Sequence, residues 1–178
     1  CIRDRPNTNV SILIERKYIN EPFEVSFKRE KVTVGSVPYF GLLENNIGYV
    51  KLRSFTRNCS NDLKNAILKL KEQSATSLIL DLRGNPGGLL NESVKIANFF
   101  VNQGEEIVST KGKIKSWEKV YTATNKPIDT EIPLVVLIDQ SSASASEIVS
   151  GSLQDLDRAV IVGKRSFGKG LVCLLYTS

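Results

Sequence analysis

Three short segments of the chain carry residue types suited to attack on a carbonyl group. The first is SASASE, residues 142–147. Small residues in a row let another backbone lie close, and a serine hydroxyl in the first turn of a helix sits beside N–H groups that have no partner within the helix. The second is SFGKG, residues 166–170, which sets Lys169 between two glycines. With no bulk on either side, such a lysine can be directed into a crevice, where burial disfavours its charged form and makes it a base. The third is GNPGGL, residues 84–89, a glycine-rich connection into a helix whose N–H groups suit a phosphate or a developing oxyanion. It matches neither a Walker A loop nor a dinucleotide fingerprint. Each segment also has an ordinary reading: capping of a helix by Ser141 or Ser142, a surface lysine in a turn, and a tight strand-to-helix turn.

The chain contains no histidine. A Ser/His/Asp or Cys/His mechanism cannot be built from it, nor can the usual histidine-rich metal sites. Serine is a weak nucleophile until a base takes its proton, and a desolvated lysine is the natural substitute. Nucleophile, base and oxyanion donors together make up an acyl-transfer site that needs neither metal nor organic cofactor.

The elements that must position these loops are legible from periodicity. NVSILIERKY and PFEVSFKREKV alternate apolar and polar residues on either side of INEP and read as a β-hairpin. A connection through Gly35 and Pro38 leads to IGYVKLRSF, a further strand. SNDLKNAILKLKEQ has Leu63, Ile67, Leu68 and Leu70 at helical spacing after a capping Ser60, and SLILDLR is strand-like. GLLNESVKIANFFV is helical, with Leu90, Val94, Ala97 and Phe100 on one side. EEIVSTKG and KVYTATN read as strands, and PLVVLID as a strand covered on both faces. SASASEIVSGSLQDL is a helix and AVIVG a last strand. Strands alternating with helices define an α/β domain with a largely parallel sheet. In such sheets the ligand crevice lies outside the carboxyl ends of the strands, where the three loops fall.

Of the 178 residues, 41% are hydrophobic and 24% charged, an ordinary globular composition. No apolar run is long enough to span a bilayer. The net charge of +5 is spread among interleaved acidic and basic residues, without the dense basic stripe of a nucleic-acid-binding surface. Three widely spaced cysteines, Cys1, Cys59 and Cys173, form neither a disulfide framework nor a zinc pattern. The chain has no methionine and opens inside an apparent structural element, so it is expected to be a piece of a longer protein.

LILDLRGNPGGLL, then PLVVLIDQSSASASEIVSGSLQD, then RAVIVGKRSFGKG, in that order, strongly resemble the carboxyl-terminal processing (tail-specific) peptidases of bacterial envelopes and chloroplast lumens. The resemblance covers roughly residues 47 to 172. It implies an α/β core of the crotonase and Clp-protease type over residues 47–178, a linker over 35–46, and a C-terminal remnant of a PDZ domain over 1–34. It further implies a serine endopeptidase with Ser144 as nucleophile and Lys169 as base. Oxyanion N–H groups fall on Ala145 and Gly88, with Gly87 as the neighbouring alternative, and Glu147 and Asp155 fall on recurrent supporting positions. The implied partners are proteins or peptides with unstructured C-terminal tails, with no nucleic acid and no metal. The implied location is the bacterial cell envelope, periplasmic or extracytoplasmic, with membrane association through further segments. Family members usually carry a glutamine four residues after the lysine. This chain has Cys173 there and ends in CLLYTS: either the orienting group is a different one, or these last residues are foreign sequence appended where the family pattern stops, the reading preferred here. A catalytically inactive peptide-binding scaffold of the same fold is the competing reading, and an acyl-coenzyme A enzyme of the crotonase kind a weaker one.

Overall fold

Five strands form the central sheet in the computed structural model, which describes residues 5–30 and 35–172. The chain divides into two units, Cys1–Val34 and Gly35–Ser178.

In the first unit, β1 (Asn9–Arg16) pairs antiparallel with β2 (Ile19–Lys28), Ile12 opposite Val25 and Ile14 opposite Phe23. The turn falls on Lys17 and Tyr18. The INEP segment, expected to divide the strands, instead begins β2. A two-residue turn without glycine, asparagine or proline gives no local signal, whereas Pro22 suggests a break but is tolerated in a two-stranded ribbon with open edges. The PDZ reading of this hairpin remains an expectation from the resemblance.

In the second unit the sheet runs β3 (Tyr39–Leu42), β4 (Ile47–Lys51), β5 (Ser77–Asp81), β8 (Leu134–Ile138) and β9 (Val160–Gly163). The last four are mutually parallel, and β3 runs antiparallel to β4. The sheet is therefore mixed, and the stretch 35–46 read as a linker contributes an edge strand. Four residues, YFGL, are too few for an alternating pattern to register. β6 (Glu106–Thr110) and β7 (Lys119–Thr122), both expected as strands, form a separate antiparallel pair.

Among the described residues the unit has three α-helices: α1 (Cys59–Glu72), α2 (Leu90–Ala97) and α3 (Ala145–Asp155). Leu63, Ile67 and Leu70 of α1 bury their side chains with Leu78 and Leu80 of β5, Val136 of β8 and Val149 and Leu153 of α3. Each such residue contributes about 1.5–3 kcal/mol relative to exposure. Leu68, counted in the apolar stripe, is exposed instead. The N-cap of α1 is Asn58, in left-handed conformation, and not Ser60. Ser60 is buried in the first turn, and its N–H donates 2.9 Å to Oε2 of Glu92 on α2. One helix thus satisfies the orphan donor of another. Burial would raise the Glu92 carboxyl, but Lys95 and Ser60 outweigh it and hold it at about 2. α2 ends at Ala97, short of the expected Phe100 and Val101, because Asn98 turns its side chain to Asn125: its Nδ2 donates to Asn125 O and its Oδ1 accepts the Asn125 N–H.

Candidate active site

The three chemistry-bearing loops leave the carboxyl ends of β5, β8 and β9, three neighbouring parallel strands. Hydrogen bonds tie them to one another. Asn85, fully buried, is the hub: its Nδ2 donates to Leu52 O and its Oδ1 accepts the Gly87 N–H, while its carbonyl accepts Ala143 N–H and the Ser146 hydroxyl. Asp139 at the end of β8 accepts the N–H of Gly84 at 3.0 Å and of Ser141 at 2.9 Å, which depress its carboxyl below the ordinary range. Asp81 at the end of β5 is completely buried. Burial alone would raise its carboxyl, but the Arg83 guanidinium and the Tyr49 hydroxyl bind it and bring it to about 2. Asn85, Asp139 and Asp81 were not singled out from the sequence. The signal was there, since polar residues directly after buried apolar runs have to find partners.

The serines of SASASE separate by environment. Ser142 is buried and its hydroxyl donates to Leu82 O, while Ser146 is buried against Asn85. Ser144, between them, is half-buried with a backbone at φ 56° and ψ −112°. A non-glycine residue held there costs on the order of 1–3 kcal/mol and persists only where its surroundings impose it. A serine at such a strand-to-helix turn matches the geometry of a nucleophile elbow.

The glycines make that turn achievable. Gly87 has φ 98°, and a side chain there would put Cβ 2.6 Å from Ala143 O and 2.9 Å from both Ala145 N and Ser144 Cβ. Gly88, at φ 147°, runs against Phe55, whose carbonyl accepts the Leu89 N–H at 2.8 Å. The Gly87 N–H is committed to Asn85. Among the described residues, the Gly88 and Ala145 N–H groups donate to no acceptor.

Glu147, in the first turn of α3, gathers the third loop. Its carboxylate accepts the Ser144 N–H at 2.7 Å, the Ser166 hydroxyl at 2.7 Å, the Gly168 N–H at 2.6 Å and the Lys169 N–H at 2.9 Å. Burial would raise this carboxyl, but the four donors outweigh it and hold it below the ordinary glutamate value. Phe167 N–H adds a bond to Ser142 O at 3.0 Å.

Ser144, Glu147 and Lys169 line one open cleft of about 720 Å³ between α3 and β6. Lys169 stands exposed at its rim, so the desolvation expected of it is not present among the described residues. The lysine lies on an extended loop that Glu147 holds by backbone atoms, leaving its side chain uncovered. Asp155 also lines the cleft, but at the opposite end of α3, about 16 Å along the helix from Ser144 at 1.5 Å per residue. Cys173 and the residues after it lie outside the described residues. Cys59 is buried against Glu92, and burial pushes its thiol up to about 12, which leaves it no thiolate character. Among the described residues no group of His, Cys, Asp and Glu side chains is gathered to hold a metal ion, and no helix is long and apolar enough to cross a membrane.

One mixed sheet thus carries a strained serine at a strand-to-helix turn, N–H groups nearby that have no acceptor among the described residues, and a lysine on the same cleft. Comparison with known proteins gives the family. The pattern of peptidase family S41 matches residues 46–177, and the chain belongs to that family. It is 36% identical over 172 residues to a probable CtpA-like serine protease of Staphylococcus aureus strain N315, a match spanning 96% of this chain and 34% of that protein. It is 39% identical over 175 residues to the carboxy-terminal-processing protease of Bartonella bacilliformis, spanning 96% of this chain and 40% of that one. Among solved structures, the photosystem II D1 C-terminal processing protease superposes with a TM-score of 0.70 at 31% identity, over 94% of this chain and 46% of its own. The chain thus spans less than half the length of each of these relatives.

Proposed function

We propose that the protein carrying this chain is a serine endopeptidase that cleaves polypeptides near their C-terminal ends through a dyad of Ser144 and Lys169. The observation that carries the reading is the strained backbone of Ser144 beside the unpaired N–H groups of Ala145 and Gly88. In the neutral state the Lys169 amine takes the proton of the Ser144 hydroxyl, and Oγ attacks the scissile carbonyl carbon. The carbonyl oxygen becomes an oxyanion that the Ala145 and Gly88 N–H groups stabilise. Lys169 returns its proton to the departing amine, which leaves an ester of the substrate acyl group on Ser144. Water, deprotonated by the same lysine, hydrolyses that ester and regenerates both groups. In this reading a substrate chain lying in the cleft covers the exposed lysine and excludes water from it.

The tail-directed substrate class rests on the motif resemblance and on the names of the two carboxy-terminal-processing relatives. The bacterial envelope as site of action, and a PDZ remnant in residues 1–34 that presents the tail, rest on the resemblance alone. The exposure of Lys169 favours a second reading, a peptide-capturing domain without catalysis. Casein hydrolysis by the intact protein separates the two. In the proposed mechanism Ser144→Ala and Lys169→Ala each lower kcat by about 10⁴-fold or more while remaining folded. A wild type that binds casein but leaves it uncut selects the capturing domain.

A further inference from the structure

The segment that follows β4 is not one of the three chemistry-bearing loops, yet it holds the glycine loop in place. Leu52 donates its N–H to Asp81 O at 3.0 Å, and its carbonyl accepts Asn85 Nδ2 at 2.9 Å. Arg53 donates its N–H to Ser36 O at 2.8 Å, and the hydroxyls of buried Ser36 and of Thr56 bond to each other. Between these anchors stands Phe55, whose side chain is buried in the core.

Phe55 meets the glycine loop through two backbone bonds that straddle Gly88. Its N–H donates to Gly87 O at 3.0 Å, and its carbonyl accepts the Leu89 N–H at 2.8 Å. The Gly87–Gly88 peptide is trans, and across a trans peptide the N–H points opposite to the C=O. With the Gly87 carbonyl turned to Phe55, the Gly88 N–H points away from it. The approach is close enough to require glycine, since a Cβ at residue 88 would lie 2.4 Å from Phe55 O. On its other flank the loop abuts the serine turn: a Cβ at residue 87 would lie 2.9 Å from Ala145 N. The Gly87 N–H itself is taken by Asn85 Oδ1 at 2.9 Å, so the direction of the next peptide decides which donor the loop can offer.

We propose that Phe55 is a positioning residue for hydrolysis: by taking the Gly87 carbonyl, its main-chain N–H turns the Gly88 N–H to the serine turn, where the oxyanion forms. Its buried side chain and the link between Ser36 and Thr56 keep the segment in register. The inference rests on the peptidase reading above and adds to it what orients the second oxyanion donor.

The test uses the intact protein with Phe55 replaced by its α-hydroxy analogue, which exchanges the N–H for an ester oxygen and keeps the ring. For an unstructured peptide substrate, kcat is expected to fall by about 10²-fold, the scale of losing one oxyanion donor, with KM within about 2-fold of the parent. Affinity for a peptide aldehyde, whose adduct with the Ser144 hydroxyl carries an oxyanion, should fall by the same factor. Leu63→Ala, which opens a cavity in the same core, is the control for lost stability: the melting temperature drops while kcat stays within about 2-fold. Hydrolysis by the ester protein at the parental rate, or an equal loss of kcat in Leu63→Ala, overturns the proposal. Should the ester protein not fold, Thr56→Val decides: a fall in kcat of roughly 3- to 10-fold at unchanged KM, restored by Thr56→Ser, is expected, and a parental kcat overturns it.

A readout without catalysis separates this inference from the peptidase reading. Gly88 alone in this chain follows another glycine, so glycine labelled with carbon-13 at the carbonyl and with nitrogen-15 picks out its amide in the Ser144→Ala background. A Gly88 resonance moved by the ester, in a protein without Ser144-dependent hydrolysis, sinks the peptidase reading and keeps the orientation by Phe55. Ser144-dependent hydrolysis with the Gly88 resonance unmoved does the reverse.

Discussion

Glu147 and Lys169 are joined through the backbone: Oε2 of Glu147 accepts the Lys169 N–H at 2.9 Å, and the same oxygen accepts the Ser144 N–H at 2.7 Å. One carboxylate atom therefore ties the lysine loop to the turn that carries the serine. The other oxygen takes Ser166 and Gly168 from the same loop. Glu147 is a positioning residue in this arrangement, since it acts by placing Ser144 and Lys169.

Replacing it by glutamine keeps the size but sets an NH₂ group against donors. Glu147→Gln is expected to lower kcat/KM by about 10²-fold, the scale associated with displacing a catalytic group by an ångström. A positioning role has a signature that lost packing lacks. The carboxyl is held below its ordinary value, so its stabilisation is full above that value and fades as pH falls through the depressed one. The wild-type pH–rate profile should show an acid limb there, and Glu147→Gln should abolish that limb. An unchanged limb in the variant assigns it to another group.

The same linkage governs stability. Asp81, Glu92 and Asp129 are each brought to about 2 by hydrogen bonds that outweigh burial, from Arg83 and Tyr49, from Lys95 and Ser60, and from Lys71 with the backbone of Ile132 and Glu131. Groups depressed on folding stabilise the native state above their unfolded value, roughly 4 for a carboxyl, and lose that contribution as pH falls toward 2. The melting temperature should hold steady above about pH 5 and fall through the window between roughly 4 and 2. Replacing Asp81 by asparagine should flatten part of that fall, which thermal melts across pH would record.

Gly87 has the turn of the serine on one side and no room for a side chain. Gly87→Ala must displace Ala143 O or Ser144 and also strain a φ of 98°. A loss of at least 10²-fold in kcat is expected, with a stability cost of about 1–3 kcal/mol. An active Gly87→Ala protein would show that the close approach of the two loops is unnecessary.

Arg158, just after α3, is far along the chain from its partners. Its guanidinium donates to the carbonyls of Phe100, Asp129 and Ile132, and its burial pulls its pKa down from the ordinary value. Lysine cannot reproduce a planar fork serving three acceptors. Arg158→Lys is expected to destabilise by about 1–3 kcal/mol through the carbonyls left unpaired, measured by urea unfolding. The substrate preference of the variant should be that of the parent.

The elements that position the site were readable because they are buried and periodic. SLILD, LVVLI and VIVG became adjacent parallel strands, and the loops after them met. What could not be read depended on partners distant in sequence. β3 is too short to carry a pattern, and Ser60 gave way to Asn58 as cap because Glu92, from another helix, takes its N–H. Residue types alone left the serines of SASASE equivalent. The burial of Ser142 and Ser146 and the strained backbone of Ser144 set them apart. Among the described residues Lys169 is exposed, and flexibility around a lysine does not by itself provide the atoms that would cover it.

The most direct measurement is mass spectrometry of the intact protein quenched during turnover of an ester-linked peptide substrate, followed by digestion to locate the adduct. The account expects the substrate acyl group on Ser144, absent in Ser144→Ala, and lost on standing as water completes the cycle. Turnover with the acyl group on another residue, or turnover that persists in Ser144→Ala, would contradict it.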